Sequence, residues 1–301
     1  MSVDIAKNVG PSGINMAYER FGDLSATPVF LIMGGGAQMI TWPDEFCRQL
    51  ANHGLQVIRF DNRDAGLSTH FNNAPVPDFA ATMRGDFSTV SYSLSDMAAD
   101  TIGLIRALGF DSVHLVGASM GGMIAQTVAI EYPQRVKSLT SMMSTTGASG
   151  VGQTDFATLS SVGTPPDPNN REEYIEWQIK GVKAVGSPVY PFDEEGARER
   201  FNIAWERDHD PLGMLRQAVS VIKTGDRTER LRKLKVPTLV IHGKADKMIH
   251  VSGGIATAEA IPGARLELFE GMGHGFPREL WSHFTDLIAD HVNNAATKTA
   301  E

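Results

Sequence analysis

The segment Val113–Gly122 constrains the fold of this chain more than any other part of the sequence. An apolar strand pattern, Val113–Ala118, runs into the motif Gly-x-Ser-x-Gly with its serine at Ser119, and an apolar helix pattern follows at once. A serine at so sharp a strand-to-helix turn adopts a strained backbone conformation with its hydroxyl exposed. Gly117 and Gly121 leave room for this turn, because a Cβ at either position would collide with the neighbouring backbone. The motif therefore predicts a strand–turn–helix unit that presents the hydroxyl of Ser119.

Strand and helix patterns alternate on both sides of this unit. The predicted strands are 14–21, 28–33, 55–60, 113–118, 136–142, 236–242 and 265–269. Apolar residues at helical spacing predict further helices at 43–52, 93–108, 252–260 and 279–291. Continuous apolar runs such as Pro28–Met33 are typical of strands that are buried on both faces. The alternation predicts an α/β fold with a mostly parallel central sheet that is flanked by helices.

The alternation stops between residues 147 and 230. This segment begins with a loop rich in Gly, Ser, Pro and Asn that ends near Asn170. Helical patterns follow at 172–185, 194–206 and 212–223. We expect residues 1–146 and 231–301 to form one core domain, and residues 147–230 to form an inserted helical cap subdomain.

Two polar residues later in the sequence can act as the base and the orienting acid for the serine. A hydroxyl becomes a useful nucleophile when a base takes its proton and an acid orients that base. Asp246 follows the strand pattern that ends at Ile241, and His274 follows the one that ends at Phe269. The carboxyl ends of parallel strands converge on one edge of a sheet. We therefore expect Ser119, Asp246 and His274 to meet there as nucleophile, orienting acid and base.

Other residues compete for two of these roles. His242 and His250 are alternative bases, since both lie close to the favoured acid in the sequence. Glu270 and Asp64 are alternative acids, although Glu270 is too near the favoured base in the chain to orient it well. Asp64 lies in a polar loop for which we favour a structural role, with Arg63 holding neighbouring loops by charge-assisted hydrogen bonds.

A catalytic serine of this kind also requires two donors for the oxyanion. One should be the backbone N–H of Met120, the residue after the nucleophile. The other should come from the glycine run that follows the predicted strand at 28–33. We choose Gly35 as this donor, with Gly36 as the alternative, because glycines allow a substrate carbonyl to approach the backbone closely.

Composition excludes several classes of partner. The chain has 301 residues, a net charge of −8 and no basic run, which argues against nucleic acid and anionic membranes. No apolar stretch approaches the roughly 20 residues that span a bilayer. Cys47 is the single cysteine, so no internal disulfide is possible. With no secretory signal pattern at the start, we expect a cytoplasmic protein that acts as a monomer or a homodimer.

Cofactor and metal signatures are also missing from the sequence. The glycines after Met33 do not form a Gly-x-Gly-x-x-Gly motif that opens a helix, which argues against dinucleotide binding. No cluster of His, Cys and Asp has metal-ligand spacing. We therefore expect neither a cofactor nor a metal ion.

Several motifs together resemble those of the α/β-hydrolase family. They stand in family order at Leu31–Gly36, Asp61–Ser68, Gly117–Gly122, Gly243–Asp246 and Gly273–His274. Within the family, the chain is similar to the aclacinomycin methylesterase type and to related bacterial carboxylesterases, a likeness carried by Met33-Gly34-Gly35 and Trp42-Pro43. The resemblance implies the α/β-hydrolase fold, the triad and the oxyanion donors named above.

The function that follows is hydrolysis of carboxylic esters by an activated serine. We expect a serine carboxylesterase that acts on small to medium, fairly apolar ester molecules through an acyl-enzyme. A perhydrolase or cofactor-free haloperoxidase would use the same triad, as would a carbon–carbon bond hydrolase. Outside catalysis, the fold can also carry a ligand receptor, although a complete triad argues against that function.

Overall fold

The computed structural model describes residues 3–298 and contains an eight-stranded sheet. Its strands are β1 (Asp4–Val9), β2 (Ile14–Phe21), β3 (Thr27–Ile32), β4 (Leu55–Phe60), β5 (Val113–Ala118), β6 (Val136–Met142), β7 (Thr238–Gly243) and β8 (Arg265–Phe269). They lie in the order β1-β2-β4-β3-β5-β6-β7-β8. The pairs β1/β2 and β2/β4 are antiparallel, and the remaining pairs are parallel. The predicted α/β fold with a mostly parallel sheet is confirmed.

Helices occupy the connections between the strands. They are α1 (Asp44–Ala51), α2 (Phe79–Met83), α3 (Leu94–Ala107), α4 (Met120–Glu131), α5 (Phe156–Val162), α6 (Arg171–Val185), α7 (Glu194–Arg207), α8 (Pro211–Thr224), α9 (Thr228–Leu231), α10 (Ser252–Ala260) and α11 (Trp281–Lys298). The last of them starts later than the predicted 279–291, because the residues at 278–280 form a 3₁₀ turn, and it extends further, to Lys298. Within residues 3–298, no helix combines the length and hydropathy needed to traverse a bilayer.

Four short elements, β1, α2, α5 and α9, were not predicted. Strand β1 is an edge strand whose residues are mostly exposed, so it lacks the apolar alternation that marks a half-buried strand. Helix α5 lies inside the segment that was predicted to be a loop. It is started by Asp155, whose carboxylate accepts hydrogen bonds from the N–H groups of Ala157 and Thr158.

The sheet is covered by helices on both faces, and each face has its own apolar core. One core includes Leu115 and Ile124 and lies under α3 and α4, whereas the other includes Phe46 and Phe284 and lies under α1 and α11. Strand β5 is buried along its whole length. The central strands are therefore fixed between two packed layers, and their carboxyl ends form a rigid platform for the loops that follow.

Helices α5 to α9 lie in the connection between β6 and β7 and dock on the core through buried ion pairs. Arg207 on α7 contacts Asp61 at 2.5 Å, and Arg216 on α8 contacts Asp64 at 2.8 Å. Both carboxylates lie in the loop after β4 and are fully shielded from solvent. We propose that this helical insertion is the cap subdomain with the bounds 147–230.

Arg227 joins the two chain segments at the base of this insertion. Its guanidinium donates to the carbonyl of Thr145 at 2.7 Å, to the carbonyl of Gly225 at 3.0 Å and to the amide oxygen of Gln126 at 3.3 Å. The backbone N–H of Arg227 donates to the carbonyl of Thr146 at 2.9 Å. The chain leaves the core and returns to it at this point, so one buried side chain fixes both ends of the insertion.

Replacing Arg227 by alanine is expected to lower the free energy of unfolding by about 3 kcal/mol, because three buried acceptors lose their donor. No ion pair joins this guanidinium to a carboxylate within residues 3–298. Burial lowers its pKa to about 10, so it is charged at neutral pH. The melting temperature should fall by roughly 5–10 °C in calorimetry. The exposed Arg232→Ala change is the control, and equal melting temperatures for the two variants would contradict the role of Arg227.

Candidate active site

Ser119 occupies a strained turn between β5 and α4. Its backbone has φ 56° and ψ −122°, in the region of positive φ that residues other than glycine seldom occupy. As the sequence predicted, a Cβ on Gly117 would collide with the carbonyl of Gly121, and one on Gly121 would collide with the carbonyl of Ile32. The packed sheet and helix hold this conformation, which directs the serine hydroxyl out of the turn.

The structure brings the three predicted residues together at the carboxyl edge of the sheet. The Oγ atom of Ser119 lies 3.0 Å from Nε2 of His274, and Nδ1 of His274 lies 2.7 Å from Oδ2 of Asp246. Ser119 follows β5, Asp246 follows β7 and His274 follows β8. These are hydrogen-bond distances in the order in which a proton would move from hydroxyl to imidazole.

Asp246 is held as a carboxylate by a dense set of donors. Its Oδ1 accepts from the N–H groups of Met248 and Ile249 at 2.9 and 2.8 Å. Burial pushes the pKa of Asp246 upward, but hydrogen bonds from His242 and His274 outweigh this effect and hold the pKa at about 2. The residue is therefore a charged acceptor for the imidazole at any pH near neutrality.

The alternative bases face other groups. The Nε2 atom of His242 lies 2.8 Å from the carbonyl oxygen of Ile249 and 3.4 Å from Oδ2 of Asp246. His250 is exposed and its ring bonds the hydroxyl of Ser252. His242 thus supports the turn that carries Asp246, and neither ring is hydrogen-bonded to the serine hydroxyl among the described residues.

The alternative acids are engaged elsewhere as well. Glu270 is exposed and pairs with Lys244. Asp64 accepts from Arg216 and from the hydroxyl of Tyr92, the latter at 2.7 Å. Both carboxylates therefore have structural partners of their own.

The loop that carries His274 is fastened to the segment after α6. The backbone N–H of His274 donates to the carbonyl of Val185 at 2.8 Å, and that of Gly273 donates to the hydroxyl of Ser187 at 2.9 Å. A Cβ on Gly273 would collide with the carbonyl of Gly186. Only glycine permits this close contact, so the helical insertion helps to position the imidazole.

Two backbone donors beside Ser119 have no acceptor. Among the described residues, nothing accepts from the N–H groups of Gly35 and Met120, the two predicted oxyanion donors. The alternative donor is occupied, since the N–H of Gly36 donates to Oε1 of Gln217 at 2.8 Å. This occupancy favours Gly35 over Gly36 as the second donor.

The polar loop after β4 has the structural contacts that the sequence suggested. Arg63 is buried and donates to both oxygens of Asp100 at 2.6 and 2.8 Å. The side-chain amide of Asn62 donates to the carbonyl of Met33 at 3.0 Å, at the end of β3. The bonds of Arg63 join this loop to α3, and the bond of Asn62 fixes the start of the glycine loop.

One group of residues has the composition of a metal site, but a guanidinium already fills it. Ligand atoms of Asp64, His70 and Asp210 lie within 4.8 Å of one another. Arg216 donates to Asp64 at 2.8 and 2.9 Å and to Asp210 at 2.7 Å. The charge that these carboxylates require is therefore supplied by the protein itself.

Sequence reasoning missed the residues through which the insertion contacts the site: Gln38, Ser187, Arg207, Arg216 and Gln217. They occur singly among helical or loop residues, at no spacing that marks a chemical role. Only the tertiary structure brings them to the loops of the candidate site.

Comparisons with known proteins agree with this architecture. A family model for the alpha/beta hydrolase fold matches residues 27–178. Rhodomycin D methylesterase DauP of Streptomyces sp. (strain C5) is 27% identical over 300 residues, which cover 92% of this chain and 94% of that protein. A 2-hydroxy-6-oxo-6-phenylhexa-2,4-dienoate hydrolase of Comamonas testosteroni is 30% identical over 196 residues, which cover 63% of this chain and 66% of that protein.

Among solved structures, an esterase (EaEST) from Exiguobacterium antarcticum aligns with a TM-score of 0.75 and 23% identity, covering 97% of this chain and 100% of that one. This similarity concerns the fold. The family match extends from β3 through β5, the nucleophile turn and β6 into α6, and thus spans half of the sequence. The chain belongs to the α/β-hydrolase family.

Proposed function

We propose that this protein is a serine carboxylester hydrolase that works through an acyl-enzyme. The observation that carries the proposal is the hydrogen-bonded series Ser119, His274 and Asp246 beside two unoccupied backbone donors. His274 takes the proton of Ser119 as the hydroxyl oxygen attacks the ester carbonyl. The N–H groups of Gly35 and Met120 stabilise the oxyanion that forms.

The remaining steps use the same groups. His274 returns its proton to the leaving alcohol, and the acyl group stays on Ser119. Water then attacks the acyl-enzyme, with His274 again as the base, and the acid product leaves. Asp246 keeps the imidazole oriented and stabilises its cation throughout.

The charges around the site favour a neutral substrate. Arg207 and Arg216, which reach the loops from α7 and α8, are already paired with Asp61 and Asp64. An anionic substrate would have to compete with these buried carboxylates. Met214 of α8 adds an apolar contact, since its side chain lies where a Cβ on Gly36 would be. These features, together with the methylesterase relative, support small to medium apolar esters as substrates.

Carbon–carbon bond hydrolysis is the second candidate, supported by the dienoate hydrolase among the relatives. It would use the same triad, but its substrate is an acid with an additional enol and ketone. The two functions differ in the charge of the substrate, which is neutral for a simple ester and negative for the dienoate. A perhydrolase would differ only in accepting peroxide in place of water, and a receptor would bind its ligand without turnover.

The deciding experiment is a substrate panel. We expect p-nitrophenyl acetate and butyrate, together with methyl esters of aromatic acids, to be hydrolysed with kcat in the usual enzymatic range of roughly 1–10³ s⁻¹. The dienoate should be cleaved at least about 100-fold less efficiently, because it presents a carboxylate to paired arginines. Cleavage of the dienoate alone would assign the second function, and tight binding without turnover would assign a receptor.

The partner in this proposal is a small ester molecule, and the protein acts as a monomer or a homodimer. We place it in the cytoplasm because nothing in its chemistry needs an oxidising compartment. Burial raises the pKa of Cys47 to about 12, so this thiol is kept neutral in the core.

A further inference from the structure

Gln217 on α8 connects the helical insertion with the glycine loop of the candidate oxyanion site. The residue is fully buried, and its Oε1 accepts from the N–H of Gly36 at 2.8 Å. Its Nε2 donates to the carbonyl of Arg63 at 2.7 Å. One side-chain amide thus satisfies a donor in one core loop and an acceptor in another.

Apart from the bond of Asn62 to Met33 and the packing of Met214 against Gly36, the glycine loop has few contacts that hold its conformation. Gly34, Gly35 and Gly36 carry no side chains that could pack, and the bond from the N–H of Ala37 to the carbonyl of Gly34 is long, at 3.4 Å. Gly36 has φ 67°, the left-handed value that the third residue of a type II turn requires. A turn made of glycines has low rotational barriers and several accessible forms.

The bond to Gln217 acts on the part of this turn that is free to rotate. The peptide unit between Gly35 and Gly36 is the central one, and its rotation converts one turn type into another. In the observed orientation its N–H points at Oε1 of Gln217. After a flip, the carbonyl of Gly35 would face the same oxygen, and two acceptors would repel each other.

We propose that Gln217 is a positioning residue for the reaction: its amide locks the Gly35–Gly36 peptide and so restrains the turn whose preceding peptide, Gly34–Gly35, presents the N–H of Gly35 where the oxyanion forms. This inference rests on the proposed function. It makes the oxyanion site dependent on the insertion, because the lock is supplied by α8. A second glutamine also joins the core to the insertion: the side-chain amide of Gln38 donates to the carbonyl of Ala204 on α7 at 2.8 Å.

The test compares Gln217→Leu, Gln217→Glu and the control Lys223→Gln, an exposed position on the same helix. Leucine removes both hydrogen bonds, whereas glutamate keeps the acceptor for Gly36 and opposes the carbonyl of Arg63. For p-nitrophenyl butyrate, we expect Q217L to lower kcat roughly 10- to 100-fold, a partial loss of one oxyanion donor. The KM should stay within about threefold, because ground-state binding does not use that donor.

A second readout separates positioning from general damage. An alkyl trifluoromethyl ketone forms a tetrahedral adduct with the serine and places an oxyanion between the two donors. Its Ki should rise in Q217L by the same factor as kcat falls. In Q217E, Ki and kcat should change less, and in K223Q neither should change. If Q217L does not fold, Gln217→Met, which keeps the length of the side chain but lacks the amide, carries the same test.

Wild-type kcat and Ki in a folded variant that lacks the amide would overturn the proposal, as would a rise in KM with kcat unchanged in that variant. Failure of the proposed function can be distinguished from failure of the proposed role of Gln217. A wild-type protein that hydrolyses no ester defeats that function, whereas an active wild type with unaffected Gln217 variants defeats only the role of Gln217.

Discussion

Replacing Ser119 by alanine is expected to lower kcat for ester hydrolysis by at least about 10⁴-fold, the loss typical of removing a catalytic serine. The change removes only the Oγ atom, which lies 3.0 Å from Nε2 of His274. The backbone strain at φ 56° is the same for serine and alanine, so the melting temperature should move little. Steady-state kinetics on p-nitrophenyl butyrate, with calorimetry on the same samples, measures both effects.

The control for this substitution is Ser161→Ala, at an exposed serine on α5, which should retain wild-type kcat and KM. Activity that survives in Ser119→Ala at more than about a hundredth of the wild-type rate would be incompatible with covalent catalysis by Ser119. Activity that is lost together with the folded structure would be seen in the calorimetry and would call for Ser119→Cys, which keeps a nucleophile in place.

Replacing Asp246 by asparagine is expected to lower kcat by about 10⁴-fold with little change in KM. An amide in this position would donate to Nδ1 of His274 and favour the tautomer whose Nε2 carries a proton, so that the imidazole could no longer accept from Ser119. It would also remove the negative charge that stabilises the imidazolium. Steady-state kinetics at several pH values measures the loss, with the exposed Asp286→Asn change as control.

The difference in stability between the wild type and Asp246→Asn should change with pH in a definite direction. The pKa of Asp246 is lowered to about 2 in the folded protein from an ordinary value near 3.8. A carboxylate with a lowered pKa contributes stability that is present above pH 4 and is lost as the pH falls towards 2. The wild type should therefore gain stability over Asp246→Asn as the pH rises from 2 to 5. A difference in melting temperature that is constant over this range would contradict the assignment.

The losses in kcat caused by Ser119→Ala and Asp246→Asn should not be additive. Once Ser119 is alanine, orientation of the imidazole no longer matters, so the double variant with Asp246→Asn should be no slower than Ser119→Ala alone. Additive losses would mean that the two residues act in separate steps. Measuring the double variant therefore tests whether the three side chains work as a unit.

The core of the fold and the proximity of the three candidate residues could be predicted because their signals are local in the sequence. Buried parallel strands give continuous apolar runs, and Ser119, Asp246 and His274 each follow such a run. The rule that carboxyl ends of parallel strands converge then brings residues separated by 155 positions within hydrogen-bond distance. Edge strand β1 gave no such signal because its residues are mostly exposed.

The contacts of the helical insertion could not be predicted in this way. Gln217 stands among residues at ordinary helical spacing, and its partners Gly36 and Arg63 precede it by 181 and 154 positions. Nothing in the periodicity of α8 indicates which face meets the core or which backbone groups need a partner. The sequence favoured Gly35 over Gly36 as oxyanion donor, but the bond by which Gln217 occupies the N–H of Gly36 is a tertiary contact that no local pattern indicates.

Covalent trapping of Ser119 is a direct measurement of whether His274 activates its hydroxyl. The protein would be treated with a fluorophosphonate, digested, and examined by mass spectrometry with and without an excess of p-nitrophenyl butyrate. We predict one adduct per chain, located on Ser119, formed more slowly in the presence of the ester and absent from Ser119→Ala. No adduct on the folded wild type, or an adduct on another residue with Ser119 unmodified, would contradict the proposal that His274 activates this hydroxyl.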